Sequence, residues 1–451
     1  MDPSQATISP KMRYSIYAIL IVASFSTHLG RIANVSSRDG KSPFLSANDR
    51  SRWATVAAWV DTGTFEIDEI MQRPGWNTID KVRHPGRDGV PHYYSSKPPF
   101  MSILVAAPYW VLHRVAGISL LTQPFLAVRM LLVVCNLVPL TIVFVLIAKK
   151  LEEATLGDWS RIFVMAGATW GTFLTTFVVT LNNHLPAACC TLIAMDATDR
   201  ILRRGGGPLW RFGIAGLSAA LAAALELPAL GLLVLTACFL AGQQPLRTVF
   251  GFGLPALLVI GAYFGANYVV HDTWQPAYAQ RHTVGGWYDY PGSYWFDPSK
   301  LAGVDRGEPS RARYGFHVLL GHHGILSLTP MWALSLAGTV LLITQDRTER
   351  RWRWATTLLT LACLTFYVML RPTADRNYGG VCSGFRWAFW LIGPWLLSML
   401  PALQRLEQRV WGRCLALILL AASVFSASVP MSNPWTHPWI YRVAWECGWI
   451  R

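Results

Sequence analysis

Residues 125–148 read FLAVRMLLVVCNLVPLTIVFVLIA, an apolar run interrupted by a single cation, Arg129. A helix of this length crosses the hydrocarbon core of a bilayer, for which about 20 residues are needed. The composition of the whole chain agrees, because 53% of its 451 residues are hydrophobic and only 14% are charged. Together these features predict an all-α, polytopic membrane protein.

Similar apolar runs recur along the chain, and together with residues 125–148 they predict about eleven transmembrane helices. The others are residues 14–33, 162–180, 185–201, 209–225, 228–241, 248–269, 325–344, 355–370, 388–403 and 415–429.

A shorter apolar run, residues 98–112, contains three prolines and is too short for a span. If it does not cross, the cations in the short loops between the predicted spans share the side of Lys11 and Arg13, as the positive-inside rule requires. We therefore predict an interfacial or re-entrant helix here and a cytoplasmic N-terminus. The cations concerned are Lys149, Lys150, Arg161, Arg200, Arg203, Arg204, Arg211, Arg247, Arg347, Arg350, Arg351, Arg353, Arg405, Arg409 and Arg413.

This orientation places three long polar segments on the extracytoplasmic side of a bacterial-type cytoplasmic membrane. We name residues 34–124 the first loop, 270–324 the second loop, 371–387 the third loop and 430–451 the tail, all within one transmembrane domain over residues 1–451. The first loop is expected to be enlarged and to carry short interfacial helices. The tail is rich in Trp and Pro, which favours a place at the membrane interface.

The formal net charge of +14 does not point to nucleic acid, because the cations lie in short clusters between apolar runs. Most of the eight cysteines fall within predicted helices and are expected to be small core residues. Cys382 and Cys447 lie on the same predicted face, so a disulfide between them is one possibility.

The first loop contains the longest stretch rich in ionisable residues, which includes NDRSRWATVAAWV (residues 48–60) and DGVPHYYSSKPPF (residues 88–100). On a helix, Asp49 and Arg52 share one face. Asp49 is a candidate catalytic carboxylate or, alternatively, a helix N-cap. Lys97 is a candidate phosphate ligand held by the two prolines that follow it, or else a lysine that extends to the membrane interface.

The motif Asp-x-x-Arg-aromatic-Ala, followed by an acidic and aromatic stretch and then Lys-Pro-Pro, resembles the GT-C membrane glycosyltransferases. Among these it is similar to the protein O-mannosyltransferases and the lipid A aminoarabinose transferases, which are family 39-like. The resemblance covers about residues 14–150. The residues that carry it are Asp49, Arg52, Trp53, Ala54, Asp88, Gly89, Tyr94, Lys97, Pro98, Pro99 and Arg129.

The resemblance implies transfer of a sugar from a polyprenyl phosphate, with Asp49 as the catalytic Asp and Lys97 on the donor phosphate. Two positions depart from the family pattern: Arg50 and Ser96 stand where an acid is common. These departures bear on the identity of donor and acceptor. The chemistry agrees independently, because an attacking hydroxyl needs a base and a leaving phosphate needs cations.

Other candidates lie in the later loops. Arg376 and Arg386 in the third loop lie on the side where the positive-inside rule disfavours cations. Their position therefore favours a phosphate-binding role beside Arg52 and Lys97. His184 and Glu226 lie at predicted span ends and are candidate cavity residues. The complete set of candidate cavity residues is Asp88, Tyr94, Arg129, His184, Glu226 and Tyr378.

The second loop is rich in aromatic residues, and either a sugar-binding surface or an interfacial aromatic belt is compatible with it. His322 and His323 are adjacent, but no nearby carboxylate completes a metal site, so we predict no metal and no cofactor.

The sequence thus predicts a polyprenyl-phosphate-dependent hexosyl- or pentosyltransferase. Its expected partners are membrane lipids, a lipid-linked sugar donor and a lipid, glycan or protein acceptor. The alternatives are a transporter or flippase for lipid-linked saccharides and a non-catalytic scaffold.

Overall fold

The computed structural model describes residues 8–154, 156–341 and 347–450. The helices as far as the end of the first loop are α1 (Pro10–Ala33), α2 (Ala47–Ala57), α3 (Asp68–Met71) and α4 (Pro99–Ala116). The central helices are α5 (Pro124–Leu132), α6 (Val138–Glu153), α7 (Asp158–Trp170), α8 (Phe173–Thr176), α9 (His184–Arg203), α10 (Leu209–Leu225), α11 (Leu230–Ala241), α12 (Pro245–Arg247) and α13 (Leu254–His271). The remaining helices are α14 (Arg311–Leu319), α15 (Ile325–Leu328), α16 (Trp332–Val340), α17 (Arg347–Thr365), α18 (Ile392–Ser398), α19 (Leu400–Leu406), α20 (Val410–Ser428) and α21 (Trp439–Glu446).

The predicted all-α, multi-span architecture is confirmed. Within the described residues, six continuous helical segments are long and apolar enough to cross a membrane, and two shorter apolar helices, Leu209–Leu225 and Leu227–Ala241, accompany them. The six are Pro10–Ala33, Pro124–Glu153, Asp158–Val179, Pro245–His271, Thr348–Leu370 and Val410–Ser428. Each of the other predicted runs also lies on helix within the described residues, and residues 342–344 of the run 325–344 lie outside them. The helix pairs α15–α16 and α18–α19 are broken near Pro330 and Pro401. Proline lacks the amide hydrogen that a continuous helix would use.

Ion pairs gather several helix ends at one end of the bundle. Arg13 at the start of α1 pairs with Glu152 at the end of α6 (2.6 Å) and with Asp158 at the start of α7 (2.7 Å). Lys150 pairs with Asp196 on α9 (3.0 Å). The segment Pro124–Glu153 thus returns the chain to the end where α1 began.

The first loop therefore begins and ends at the opposite end of the bundle. A hydrogen bond from Arg129 Nη2 to the carbonyl of Val35 (3.1 Å) joins the two ends of the loop. The run at residues 98–112 forms α4, which is not among the six long apolar helices. Because the first loop begins and ends at the same end of the bundle, α4 does not carry the chain to the other end, as predicted for this run.

A β-hairpin within the first loop was not predicted. Strands β1 (Lys81–Pro85) and β2 (Pro91–Ser95) pair antiparallel, with Val82 opposite Tyr94. The turn contains Gly89 at φ +80°, a backbone conformation that glycine adopts without strain. The hairpin carries Asp80 before its first strand and Lys97 after its second strand.

The three loops and the tail contact one another. The amide of Arg83 donates to the carbonyl of Trp287 in the second loop (2.8 Å). Arg281 of the second loop pairs with Asp375 of the third (3.0 Å). The amide of Ser383 donates to the carbonyl of Pro434 in the tail (2.9 Å). These contacts assemble four distant segments of sequence over one end of the helices.

Candidate active site

The start of α2 is fixed by a capping box between Ser46 and Asp49. Ser46 Oγ accepts a hydrogen bond from the amide of Asp49 (3.2 Å), and Asp49 Oδ1 accepts one from the amide of Ser46 (2.9 Å). This pair satisfies backbone donors that a helix start leaves free. Asp49 therefore has the capping role that the sequence also allowed.

The Asp49 carboxylate is 1% exposed and makes further contacts. Its oxygens accept hydrogen bonds from the amides of Leu45 (3.1 Å) and Arg50 (2.8 Å) and from the Thr180 hydroxyl (2.9 Å). Burial raises the pKa of the Asp49 carboxyl, and the hydrogen bonds oppose that shift. The result is a buried carboxyl group that is more basic than an ordinary aspartate.

Arg52 lies one turn after Asp49 and is buried. Its guanidinium donates from Nη1 to Asn48 and from Nη2 to Asn183 Oδ1 (2.7 Å), while the buried Nε has no partner among the described residues. No carboxylate in the described ranges forms an ion pair with it. Burial and then the charge of Arg386 lower the pKa of Arg52 to about 10, so it stays charged at neutral pH.

Lys97 follows the hairpin, and its side chain is 22% exposed. Its Nζ lies 3.1 Å from Asp80 Oδ2, and Asp80 Oδ1 accepts a hydrogen bond from Trp295 Nε1 of the second loop (2.9 Å). Burial lowers the pKa of Lys97 to about 8, against the opposing effect of Asp80. The nearby charges of Arg52 and Arg386 lower the pKa of Lys97 further.

The third loop brings Arg386 to the same place. Arg386 Nε donates to the carbonyl of Gly379 (3.0 Å), and Nη1 donates to His184 Nε2 (2.6 Å). Its guanidinium lies 5.0 Å from the ring centroid of Trp435 in the tail. Trp435 Nε1 donates to the Thr180 hydroxyl (2.9 Å), which in turn donates to Asp49.

The geometry thus brings together the predicted residues Asp49, Arg52, Lys97, Arg386, His184 and Glu226. Both Arg52 and Arg386 lack an ion-paired carboxylate within the described part of the chain, and Lys97 has Asp80 alone. Unpaired buried charge is costly unless a ligand or partner compensates it. This cluster of cations is suited to hold an anion.

Other predicted residues make their contacts elsewhere. Arg376 is occupied with the carbonyl of Pro309 (2.8 Å) and the Thr373 hydroxyl (2.6 Å). Asp88 lies in the exposed hairpin turn and bonds to His92 (3.0 Å).

Three further predicted residues have structural contacts. Tyr94 stacks on His84, with ring centroids 4.2 Å apart. Arg129 holds the end of α1 through the carbonyl of Val35. Tyr378 stacks on His323 (4.9 Å) and has a φ of +59°. None of these contacts reaches the cation cluster, so the roles of these residues at the site stay predictions.

Sequence reasoning missed four residues at this site: Asp80, Thr180, Asn183 and Trp435. Asp80 gave a weak signal as an acid in the polar first loop, and Asn183 as a polar residue at a span end. Trp435 was expected with the rest of the tail at the membrane interface, but it is buried against Arg386. Only the fold brings a residue of the tail to a site formed by the first loop.

No metal centre is evident in the described ranges, where no group of three or more His, Cys, Asp or Glu side chains is arranged to hold an ion. His322 and His323 instead stack with neighbouring rings, including those of His317 and Tyr378. The suggested disulfide is not formed, because Cys382 is buried, Cys447 is exposed and both are free thiols.

These features define a class: a helical, multi-span membrane protein with a cluster of cations beneath its assembled loops. No protein-family model matches the sequence, and no curated protein matches it. Among solved structures, the chain is similar to the oligosaccharyltransferase of Archaeoglobus fulgidus, crystallised with a tethered acceptor peptide, at a TM-score of 0.46 and 10% identity.

That match covers 95% of this chain and 57% of the archaeal protein, so the chain spans little more than half its length. A similarity at this TM-score and identity carries no argument about function, which is argued from the geometry of the site.

Proposed function

We propose that this protein is a membrane glycosyltransferase that moves a sugar from a polyprenyl phosphate donor to an acceptor on the extracytoplasmic side. One observation carries the proposal: Lys97, Arg52 and Arg386 lie near one another, and two of the three have no ion-paired carboxylate in the described chain. We infer that they line a pocket for an anion, and a phosphate diester matches the fork of an arginine.

The location of the pocket supports a lipid-linked donor. It lies where α2, α9 and the third loop meet, next to helices long enough to span a membrane. A polyprenyl chain can remain in the bilayer while its phosphate enters the pocket from the side. A soluble phosphate sugar would gain nothing from this position.

In the proposed step, the acceptor hydroxyl attacks the anomeric carbon of the donor sugar and gives its proton to Asp49. The bond between the anomeric carbon and the phosphate oxygen breaks, and its electron pair stays on that oxygen. The polyprenyl phosphate leaves with one more negative charge than before. Cations aimed at this phosphate stabilise the transition state more than the ground state.

The surroundings of Asp49 set a condition on this step. Its Oδ2 accepts hydrogen bonds from the Thr180 hydroxyl and the amide of Leu45. In the proposal, the acceptor hydroxyl takes the place of the Thr180 hydroxyl, which can rotate about its own bond. The raised pKa of Asp49 favours proton acceptance, because a more basic carboxylate takes up the proton more readily.

Replacing Asp49 tests the proposal directly. Asp49→Asn removes the base, so we expect transfer to fall by about 100-fold or more. Its amide nitrogen replaces an oxygen that accepts a backbone hydrogen bond, so we also expect a lower melting temperature, and transfer is compared well below the melting transition of the variant. Asp39→Asn is the matched control, since Asp39 is an exposed aspartate of the same loop. Transfer is measured with purified protein and the lipid-linked sugars of the source cell envelope, by mass spectrometry of both lipid and product. Full transfer by Asp49→Asn would remove Asp49 from the mechanism.

A further inference from the structure

Glu226 lies behind the two arginines that have no ion-paired carboxylate. It follows α10 directly and is 4% exposed. Its Oε1 accepts a hydrogen bond from Asn183 Nδ2 (2.7 Å) and is also bonded to His184 Nδ1. Neither Arg52 nor Arg386 touches this carboxylate through an ion pair in the described chain. Two side chains, Asn183 and His184, separate the buried Glu226 from the buried Arg52 and the partly buried Arg386.

One connection runs through Asn183. Its amide nitrogen donates both to Glu226 and to the carbonyl of Leu225 (2.8 Å), which fixes the orientation of the amide group. The amide oxygen must therefore face the other way, and there it accepts the hydrogen bond from Arg52 Nη2 (2.7 Å). The position of Arg52 thus depends on Glu226 through one amide.

The other connection runs through His184. Arg386 can only donate, so His184 Nε2 must be unprotonated to accept from it at 2.6 Å. The remaining proton of a neutral imidazole is then on Nδ1 and points at Glu226. A carboxylate that fixes the tautomer of a histidine also fixes which partner its other nitrogen can bind.

We propose that Glu226 is a positioning residue that orients Arg52 and Arg386 toward the donor phosphate through Asn183 and His184. This inference rests on the proposed function, because it assigns the phosphate as the ligand of the two arginines. Asn183 and His184 each bind one nitrogen of a guanidinium and do not neutralise its charge. A direct ion pair with Glu226 would instead compete with the phosphate for the same charges.

The two connections predict a specific pattern of losses in binding of a polyprenyl monophosphate in detergent micelles. Glu226→Ala removes the acceptor for both connections, and His184→Phe removes one of them. We expect each variant to weaken binding about 10-fold or more, since each loses hydrogen bonds to charged groups. The double variant is expected to lose less than the product of the two effects, because both act on Arg386.

The conservative variant separates positioning from charge. Glu226→Gln retains an oxygen that can accept from Asn183 and His184, so it should bind the lipid phosphate within about threefold of the original protein. Glu407→Ala is the matched control, because Glu407 is also buried but accepts hydrogen bonds from Ser160 and Gly157 on another part of the bundle. It should lower the melting temperature and leave binding unchanged.

The outcomes distinguish this inference from the proposed function. If the original protein binds the lipid phosphate but Glu226→Ala and His184→Phe bind it equally well, the positioning role is wrong and the phosphate pocket stands. The positioning role is also wrong if the losses in affinity of Glu226→Ala and His184→Phe multiply fully in the double variant. It is equally wrong if Glu226→Gln binds the lipid phosphate as weakly as Glu226→Ala. If the original protein does not bind the lipid phosphate, both proposals fall. Should Glu226→Ala not fold, His184→Phe and Glu226→Gln decide the question.

Discussion

Lys97 is the residue at which pH bears most directly on the proposed function. It holds a phosphate only when protonated, and a lysine with its ordinary pKa would stay charged well above neutral pH. Burial lowers the pKa of Lys97 to about 8, and Asp80 opposes that shift. Because its pKa is lowered, the Lys97 ammonium loses its charge at a lower pH than an ordinary lysine. An anion is therefore bound less tightly as the pH rises.

We therefore expect donor affinity to fall as the pH rises from about 7 to about 9. Lys97→Met should lose at least about 10-fold in affinity at neutral pH and most of this pH dependence. Lys41→Met is the control, since Lys41 is an exposed lysine of the same loop. Titration of lipid phosphate binding against pH checks the prediction, and an affinity that stays constant to about pH 9.5 would contradict it.

At the scale of elements, the first loop presents its chemistry from a helix start and a strand end. The capping box holds the first turn of α2, from which Asp49 and Arg52 extend on one face. The hairpin holds Asp80 and Lys97 on adjacent ends of its strands, because β1 and β2 are antiparallel. The distance between Arg52 and Lys97 is thus set by how the hairpin packs on α2. At this contact, Ser51 Oγ lies 2.6 Å from Ser95 Oγ.

The capping box gives a prediction for stability. Ser46→Ala removes the oxygen that accepts from the amide of Asp49, and we expect a loss of about 0.5–2 kcal/mol in the free energy of unfolding. Ser46→Thr keeps the hydroxyl and should lose much less. Thermal denaturation in detergent measures both variants, and equal losses for Ala and Thr would show that the hydroxyl is not what stabilises this turn.

At the scale of the whole molecule, the distribution of charge at the two ends of the bundle is the main feature. One end has ion pairs that join the ends of α1, α6, α7 and α9, and the other end has the assembled loops and the tail. Cations at the first end agree with the positive-inside rule, which supports our placement of the pocket outside the cytoplasm.

Labelling of single cysteines in intact cells tests this orientation. Cysteine placed at Asp88, in the exposed hairpin turn, should react with a membrane-impermeant maleimide. Cysteine placed at Arg204, an exposed residue just after α9, should react only after the membrane is permeabilised. Both variants need the exposed thiols Cys238, Cys414 and Cys447 replaced by Ser. The opposite labelling pattern would place the pocket on the cytoplasmic side.

The sequence by itself determined the all-α membrane architecture and the position of nearly every apolar helix. Hydrophobic length and the bias of the cations are local properties that do not depend on tertiary contacts. It also singled out Asp49, Arg52, Lys97 and Arg386 as candidates, because ionisable residues are conspicuous in so apolar a chain. The β-hairpin was not predicted, although the Asp88-Gly89 pair in its turn is a recognised hairpin signal.

The tertiary structure alone decided which of these residues meet. It joined Arg52 to Asn183, Arg386 to His184 and Trp435 to Thr180, pairs that are more than 100 residues apart in the chain. It separated Arg376, whose guanidinium holds Pro309 and Thr373, from Arg386 in the same loop. Such contacts depend on how the helices and loops pack, and no local pattern in the sequence encodes that packing.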